Sequence, residues 1–431
     1  MSKEENRKNF SKYVSQNILG MIGFSCYVLA DSYFISIAKG ADGLTALNLV
    51  MPLYSIIFSI GEMIGVGSAI RYAISKIKKD ADADDYFWNA LIWCILSSML
   101  FVFAGIFFSA DIMRVLGADE HIVAVGNNYT KIFMCFAPMF MCNYVTNAFV
   151  RNDGAPGIAM SATLFSSLFN IVFDYILMFP MNLGMEGAAL ATALSPIIGM
   201  GICSIHFFSK KSSVRLVVCK PSVRKLVAGC QLGISAFVGE MSSAVITLAF
   251  NFVILKLAGN VGVAAYGVVA NIAIVTTAVF NGVAQGSQPL ISSCFGRGDK
   301  DGCTQLKRMG YTTAFVLAAV MYSILFIFAG QFVAVFNSEG SEMLRLYATE
   351  GVKLYFIGIF FAGINIVGGG AFSATEDAFK AAVVSVARGF VLILGAVFVM
   401  SAFFGMTGVW LAYAVAEGIT TFIMLVMAMR V

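Results

Sequence analysis

The chain has 431 residues, of which 59% are apolar and only 12% charged, with a mean hydropathy of +0.85. A soluble domain usually carries about 25% charge, so a water-soluble enzyme or a nucleic-acid-binding module is ruled against and an all-α polytopic membrane protein is indicated. The net charge of +4 carries no message until it is mapped onto loops.

Apolar runs long enough to cross a bilayer, about 20 residues, recur twelve times. They lie at roughly 13–38, 44–70, 86–109, 122–149, 157–180, 186–208, 228–257, 262–294, 307–336, 343–373, 379–403 and 407–429. With the N-terminus inside, 21 of the 28 Lys and Arg residues fall in inner segments, and Lys and Arg favour cytoplasmic loops. Both termini are therefore expected in the cytoplasm of a multi-pass protein of the cell (inner) membrane. The first span has no small-residue cleavage site, so it reads as a retained span. The nine cysteines show no CxxC and mostly lie in spans, where they read as small apolar packers.

Span one carries Asp31. A charge at the bilayer centre costs about 2.5–3.5 kcal/mol on insertion scales, so chains seldom keep one without a use. The competing reading of Asp31 is an outer-loop acid beyond an early end of the span. Glu62 is intramembrane by count. After span two, Lys79–Asp85 has alternating acids, but Asp85 stands where a calcium loop needs glycine and Leu91 where it needs Glu. That run reads as a solvated cytoplasmic loop. In span five Thr163, Ser166 or Ser167, Asn170 and Asp174 share one helical face. Thr192 lies six residues into span six from the outside. Asp31 and Asp174 both come out roughly 26 Å from the inner ends, at a depth comparable to Thr192. Two carboxylates, an amide and a hydroxyl at one level form a candidate site for a proton or a hard cation, with no resident metal. Two close carboxylates in low dielectric cannot both stay ionised cheaply, which suits a proton carrier.

Span seven carries Glu240 near mid-membrane, with Ser243, Thr247 and Asn251 on one face. Asn281, Gln285 and Gln288 form a polar face on span eight beside Pro289, where a kink is expected. Arg388 and Glu417 reach similar depth on consecutive spans, as a structural ion pair or as part of a transport path.

The two halves resemble each other. Gly43-Leu-Thr-Ala46 faces Gly262-Val-Ala-Ala265, and Gly67-Ser68 faces Gly286-Ser287, at an offset of 219. Gly184-Met-Glu-Gly187 faces Gly405-Met-Thr-Gly408 at 221. Six spans per unit give both units the same topology, hence a parallel repeat about an axis along the membrane normal. The expected division is residues 1–211, a basic cytoplasmic linker at 212–225, and 226–431. Two pseudo-symmetric six-helix bundles around a cleft suit a transporter that rocks between access states. Asp31 and Asp174 have no acidic counterpart in the second half, so the ion site belongs to the first.

There is no Walker motif, no nucleophile elbow and no histidine pair, so no enzymatic chemistry and no cofactor are expected beyond a coupling ion.

Asp31 in LADSYF, the NxxxD pair Asn170 and Asp174, GxxGAALAT from Gly184 to Thr192, Glu240 in LGISAFVGE and GSQPLISSCFGRG from Gly286 to Gly298 together give the chain its family likeness. Across nearly its whole length it resembles the multidrug and toxic compound extrusion (MATE) family. The resemblance implies two lobes in a V and efflux of organic cations, drugs or dyes, against inward H⁺ or Na⁺, by a monomer. It implies a cation-coupling role for Asp31, Asn170, Asp174 and Thr192. It also implies a second acid at Glu240, beside which Gln285 and Gln288 of the polar face on span eight are read as substrate or secondary-cation residues. The Asp that the Na⁺-linked branch carries in span ten is absent here, where Asn365 stands in FFAGINIVGGGAF. A lipid-linked oligosaccharide flippase of the same superfamily is the alternative. It would need several basic residues in its cavity, and the sequence offers only Arg388 well inside a lobe.

Overall fold

The computed structural model describes residues 3–336 and 341–429, and among these the secondary structure is helical throughout. Twelve passes follow in chain order. Spans one to three are Lys3–Gly40, Asp42–Lys78 and Asp85–Val115. Span four is two helices, Glu120–Cys135 and Ala137–Asn152, bent by 46°. The sequence reads there as one run, but Pro138 in the first turn of the second helix has no N–H to continue the first. Spans five and six are Pro156–Met178 and Gly184–Phe207. Spans seven and eight form one stretch, Val223–Gly296, which runs through Pro289 with its non-helical break at Gly259. Span nine is Lys300–Ile327 with Ala329–Phe336 after it, and span ten is Glu342–Ala374. Span eleven begins at Ala378–Val386 and passes through a π-helical turn at Ala387–Val391. Leu392–Met429 completes it and, after a fold at Gly405, forms span twelve.

Three hairpins pivot on a single glycine. Gly40, Gly259 and Gly405 have φ of 58°, 61° and 58° with ψ of −141°, −156° and −136°, a region essentially reserved for glycine. The repeat shows itself in such positions. Gly40 pairs with Gly259 and Lys79 with Gly298 at 219, Gly184 with Gly405 at 221, and Gly154 with Glu376 at 222, all at positive φ.

The bundles touch backbone to backbone. A Cβ on Gly67 would lie 2.0 Å from the Gly229 oxygen and 2.7 Å from the Gly233 nitrogen. At the repeat-related place, a Cβ on Gly286 would lie 2.8 Å from Val14 Cα. Here 67 maps to 286 and 14 to 233 by the same 219. Side chains latch the same face. The Arg71 guanidinium donates to Ala228 O (3.1 Å) and pairs with Glu376, which Lys78 also approaches at 3.5 Å. Asn6 donates to Gln305 Oε1 at 3.2 Å.

The Lys79–Asp85 run is a turn whose residues 79–82 are exposed, and it also clamps the connection between the bundles. Lys225 meets Asp85 at 2.6 Å and Asp82 at 3.0 Å, while Lys76 meets Asp84 at 2.7 Å. The hydrogen bond from Lys225 holds the Asp82 carboxyl below the usual carboxylate range. Asp153, buried with its partner His206 at 2.8 Å, also accepts from Ser212 Oγ and Ser213 N at 2.9 Å. This fixes the start of the connection against the first bundle.

Candidate functional site

Asp31 lies inside the helix of span one, nine residues before the Gly40 turn, and is 7% exposed. It is therefore a buried helical acid and not part of the turn that follows. Asp174 and Asn170 are fully buried one turn apart on span five, and Thr192 on span six is 2% exposed. The Asn170 amide satisfies both neighbours when Nδ2 donates to Asp174 Oδ2 at 3.1 Å and its oxygen accepts from Thr192 Oγ1 at 3.2 Å. Asp31 and Asp174 are close enough for their charges to interact. One oxygen of each, Oδ1, is buried without a hydrogen-bond partner. Unpaired buried acceptors cost free energy, so each of these oxygens has an unmet demand for a donor or a cation.

Beside this cluster lies a cavity of about 140 Å³ that opens outward. Thr192 and Tyr27, one turn before Asp31, connect the two, for both line the cavity. Most of the wall comes from the first bundle. The second contributes Glu240, Asn281 and Gln285. Subtracting 219 from these gives Met21, Glu62 and Val66, which line it as well. The repeat axis therefore passes through this part of the cavity.

Gln285 is in the wall, where it accepts from Arg151 at 2.6 Å and donates to Glu62 Oε1 at 3.2 Å. Gln288 is not. It is 6% exposed and turned toward Gly370 of span ten. Two cavity residues have no assigned role in the sequence reading. Glu62 was visible as an intramembrane acid. Arg151 counted there as an inner-segment base, but the span-four helix continues to Asn152 and the side chain is 4% exposed in the cavity wall. A second Arg inside a polar wall built by two bundles gave no local signal.

The remainder of the wall has a bonded counterpart in the second bundle. Ser166, lining the cavity, donates to Ser195 O at 2.7 Å. Adding 222 to 166 and 195 gives Arg388 and Glu417, which pair at 2.7 Å. Adding 222 to Asn143 gives Asn365, which donates to Glu417 Oε2 at 2.7 Å and accepts from Thr421 at 3.0 Å. The pair read from sequence is thus a hydrogen-bonded network that fills the second bundle, with Arg388 set in the π-helical turn.

The family model MatE matches residues 17–176 and 236–399. Multidrug export protein MepA of Staphylococcus aureus (strain MRSA252) is 27% identical over 414 residues, covering 93% of this chain and 89% of that protein. The protein of the same name from Staphylococcus saprophyticus is 26% identical over 409 residues, with the same coverage. Among solved structures, an outward-facing multidrug resistance MATE family transporter of the MOP superfamily superposes with a TM-score of 0.92. Its identity is 20%, over 99% of this chain and 96% of that one. A MOP superfamily transporter from Pyrococcus furiosus, described by the reverse polarity of its binding pocket, superposes at 0.91 with 20% identity and the same coverage.

Proposed function

Because the chain belongs to the MatE family of multidrug and toxic compound extrusion transporters, we propose that it is a secondary antiporter exporting organic cations in exchange for inward H⁺ or Na⁺. Asp31 and Asp174 bind the coupling ion, with Asn170 and Thr192 completing the site. Glu240 and Gln285 belong to the cargo cavity, and Gln288, which lies away from it, is left out. The observation that carries this reading is the pair of unpartnered buried carboxylate oxygens next to a cavity. The relatives' name, multidrug export protein, points the same way. A membrane potential of 100 mV supplies about 2.3 kcal/mol per charge, so one ion sustains a modest cargo gradient.

The chain works as a monomer with both termini in the cytoplasm. The latched face then carries Arg71, Lys78 and Lys225 inward, in keeping with the positive-inside rule. A flippase for pyrophosphate-linked lipids fits less well, since the cavity holds Glu62 and Glu240 against the single base Arg151.

The test is ethidium transport in proteoliposomes under an imposed proton gradient or sodium gradient, one at a time. Transport on protons alone supports a carboxylate proton switch at Asp31 and Asp174. Transport on sodium supports direct coordination by Asp31, Asn170, Asp174 and Thr192. No transport on either overturns cation antiport.

A further inference from the structure

The connection between the bundles carries a surface that transport does not use. Between the end of span six and the start of span seven, Lys210, Lys211, Arg215, Lys220 and Arg224 are all exposed, and none forms an ion pair among the described residues. The acids beside them are already engaged, Asp82 and Asp85 by Lys225, Asp84 by Lys76 and buried Asp153 by His206. Interleaved with these bases are exposed apolar side chains, Phe208, the run Leu216 to Val218, and Val223; Phe208 and Val218 are 80% and 76% exposed.

This segment does not hang away from the protein. Arg215 N donates to Asp84 Oδ1 at 3.3 Å, Cys219 Sγ to Asp85 O at 3.7 Å and Ser222 N to Asn89 Oδ1 at 2.7 Å. It therefore runs along the inner end of span three, Asp85–Val115, and reaches one turn into that helix. Val214 is buried in the core of the first bundle, and Leu216 to Val218 follow it turned outward.

We infer that the connection is a docking surface for anionic phospholipid in the leaflet at the latched face. The five bases sit on headgroup phosphates, and Leu216 to Val218 dip among the upper acyl carbons. Clustered Lys and Arg beside a spanning helix are drawn to anionic lipid, and their long stems lie along apolar surface while the charged ends reach the phosphates. An exposed apolar run marks a covered face, and the bases around it choose the charge of what covers it. The inference depends on neither the cargo nor the coupling ion.

Hydrogen exchange of the full chain in lipid nanodiscs reads this surface. The N–H groups of Leu216, Val218 and Lys220 have no backbone acceptor among the described residues, so their exchange is set by what covers them. Exchange over residues 214–221 should be roughly tenfold slower in phosphatidylglycerol than in phosphatidylcholine, and added salt should narrow the gap. The combined substitutions Lys210→Gln, Lys211→Gln, Arg215→Gln, Lys220→Gln and Arg224→Gln, all at exposed positions, should abolish it. Leu216→Ser with Val218→Ser should shrink it with every base still present. Equal exchange in the two lipids overturns the proposal, as does a gap that survives loss of the five bases or of the apolar pair. The same slowing on adding inorganic phosphate to the protein in detergent would assign the bases to a soluble anion, and overturns it too.

Discussion

Spans four to six and spans ten to twelve hold corresponding places in the two bundles, yet the first set walls a cavity and the second holds an ion-pair network at the matching positions. At Asn143, Ser166 and Ser195 the first bundle has short polar side chains on empty space. At Asn365, Arg388 and Glu417 the second has an amide and a bidentate ion pair. Gly199, whose added Cβ would meet Asn143 Oδ1 at 2.7 Å, corresponds to Thr421, whose hydroxyl bonds Asn365. The proposed coupling residues follow the same division, for Asp31, Asn170, Asp174 and Thr192 map to Phe250, Leu392, Ala396 and Ala414. One backbone frame thus serves as a chamber or as a core according to side-chain volume at a few positions. A buried ion pair adds little net stability over an apolar core, so the network in the second bundle is no strong stabiliser and occupies the positions that line the cavity in the first.

The sharpest way to break this comparison is at the ion site. Asp174→Asn keeps the shape and the contact to Asn170, and gradient-driven ethidium export should disappear while the protein stays folded by size-exclusion profile. Ala396→Asp, at the corresponding place of the second bundle, should not restore it. Export that persists in Asp174→Asn would remove that residue from the mechanism.

Next comes filling the chamber with its neighbour's plug. Ser166→Arg with Ser195→Glu should lower ethidium affinity roughly tenfold by occupying the space that cargo needs. The reverse exchange tests the core. Glu417→Ala leaves Arg388 buried and unpaired, a loss of about 3–5 kcal/mol that should appear as a lower unfolding midpoint. The double change Arg388→Ser with Glu417→Ser should lose less, because no buried charge remains. Equal losses in the single and double variants would mean that volume and not charge holds this region together.

The smallest effect concerns what the bundles share. An added Cβ at Gly40 or Gly259 meets nothing within 4 Å, so Gly40→Ala and Gly259→Ala should each cost only the backbone strain, about 1–3 kcal/mol. The two losses should match in thermal unfolding. A clear inequality would show that the hairpins are not held alike.

Membrane class, number of passes and repeat were legible because length, apolarity and spacing are properties of the sequence itself. Asp31, Asn170, Asp174 and Thr192 were legible because an intramembrane acid has few bland explanations and helical spacing places its neighbours. Arg151 was not: one turn of helix decides whether it hangs in a loop or enters a wall, and that wall is completed by Asn17 and Gln285, which are 134 residues away on either side. The plug escaped for a related reason. Arg388 and Glu417 could be paired by depth, but their kinship to Ser166 and Ser195 needs an offset of 222 that chemically unlike residues cannot advertise. The hairpin glycines were hidden because a positive φ leaves no mark in composition.

The crossing of Gly67 with Gly233, and of Gly286 with Val14, is also a bearing. Its surfaces are main chain, so the bundles can turn against each other there without side chains having to change rotamer. Displacement grows with the length of the arm. Asp31 lies 17 residues along the helix from Val14, about 25 Å at 1.5 Å per residue. Each degree of rotation there would therefore carry the acid by roughly 0.4 Å relative to the second bundle, while its place against Asn170, Asp174 and Thr192 in its own bundle stays fixed.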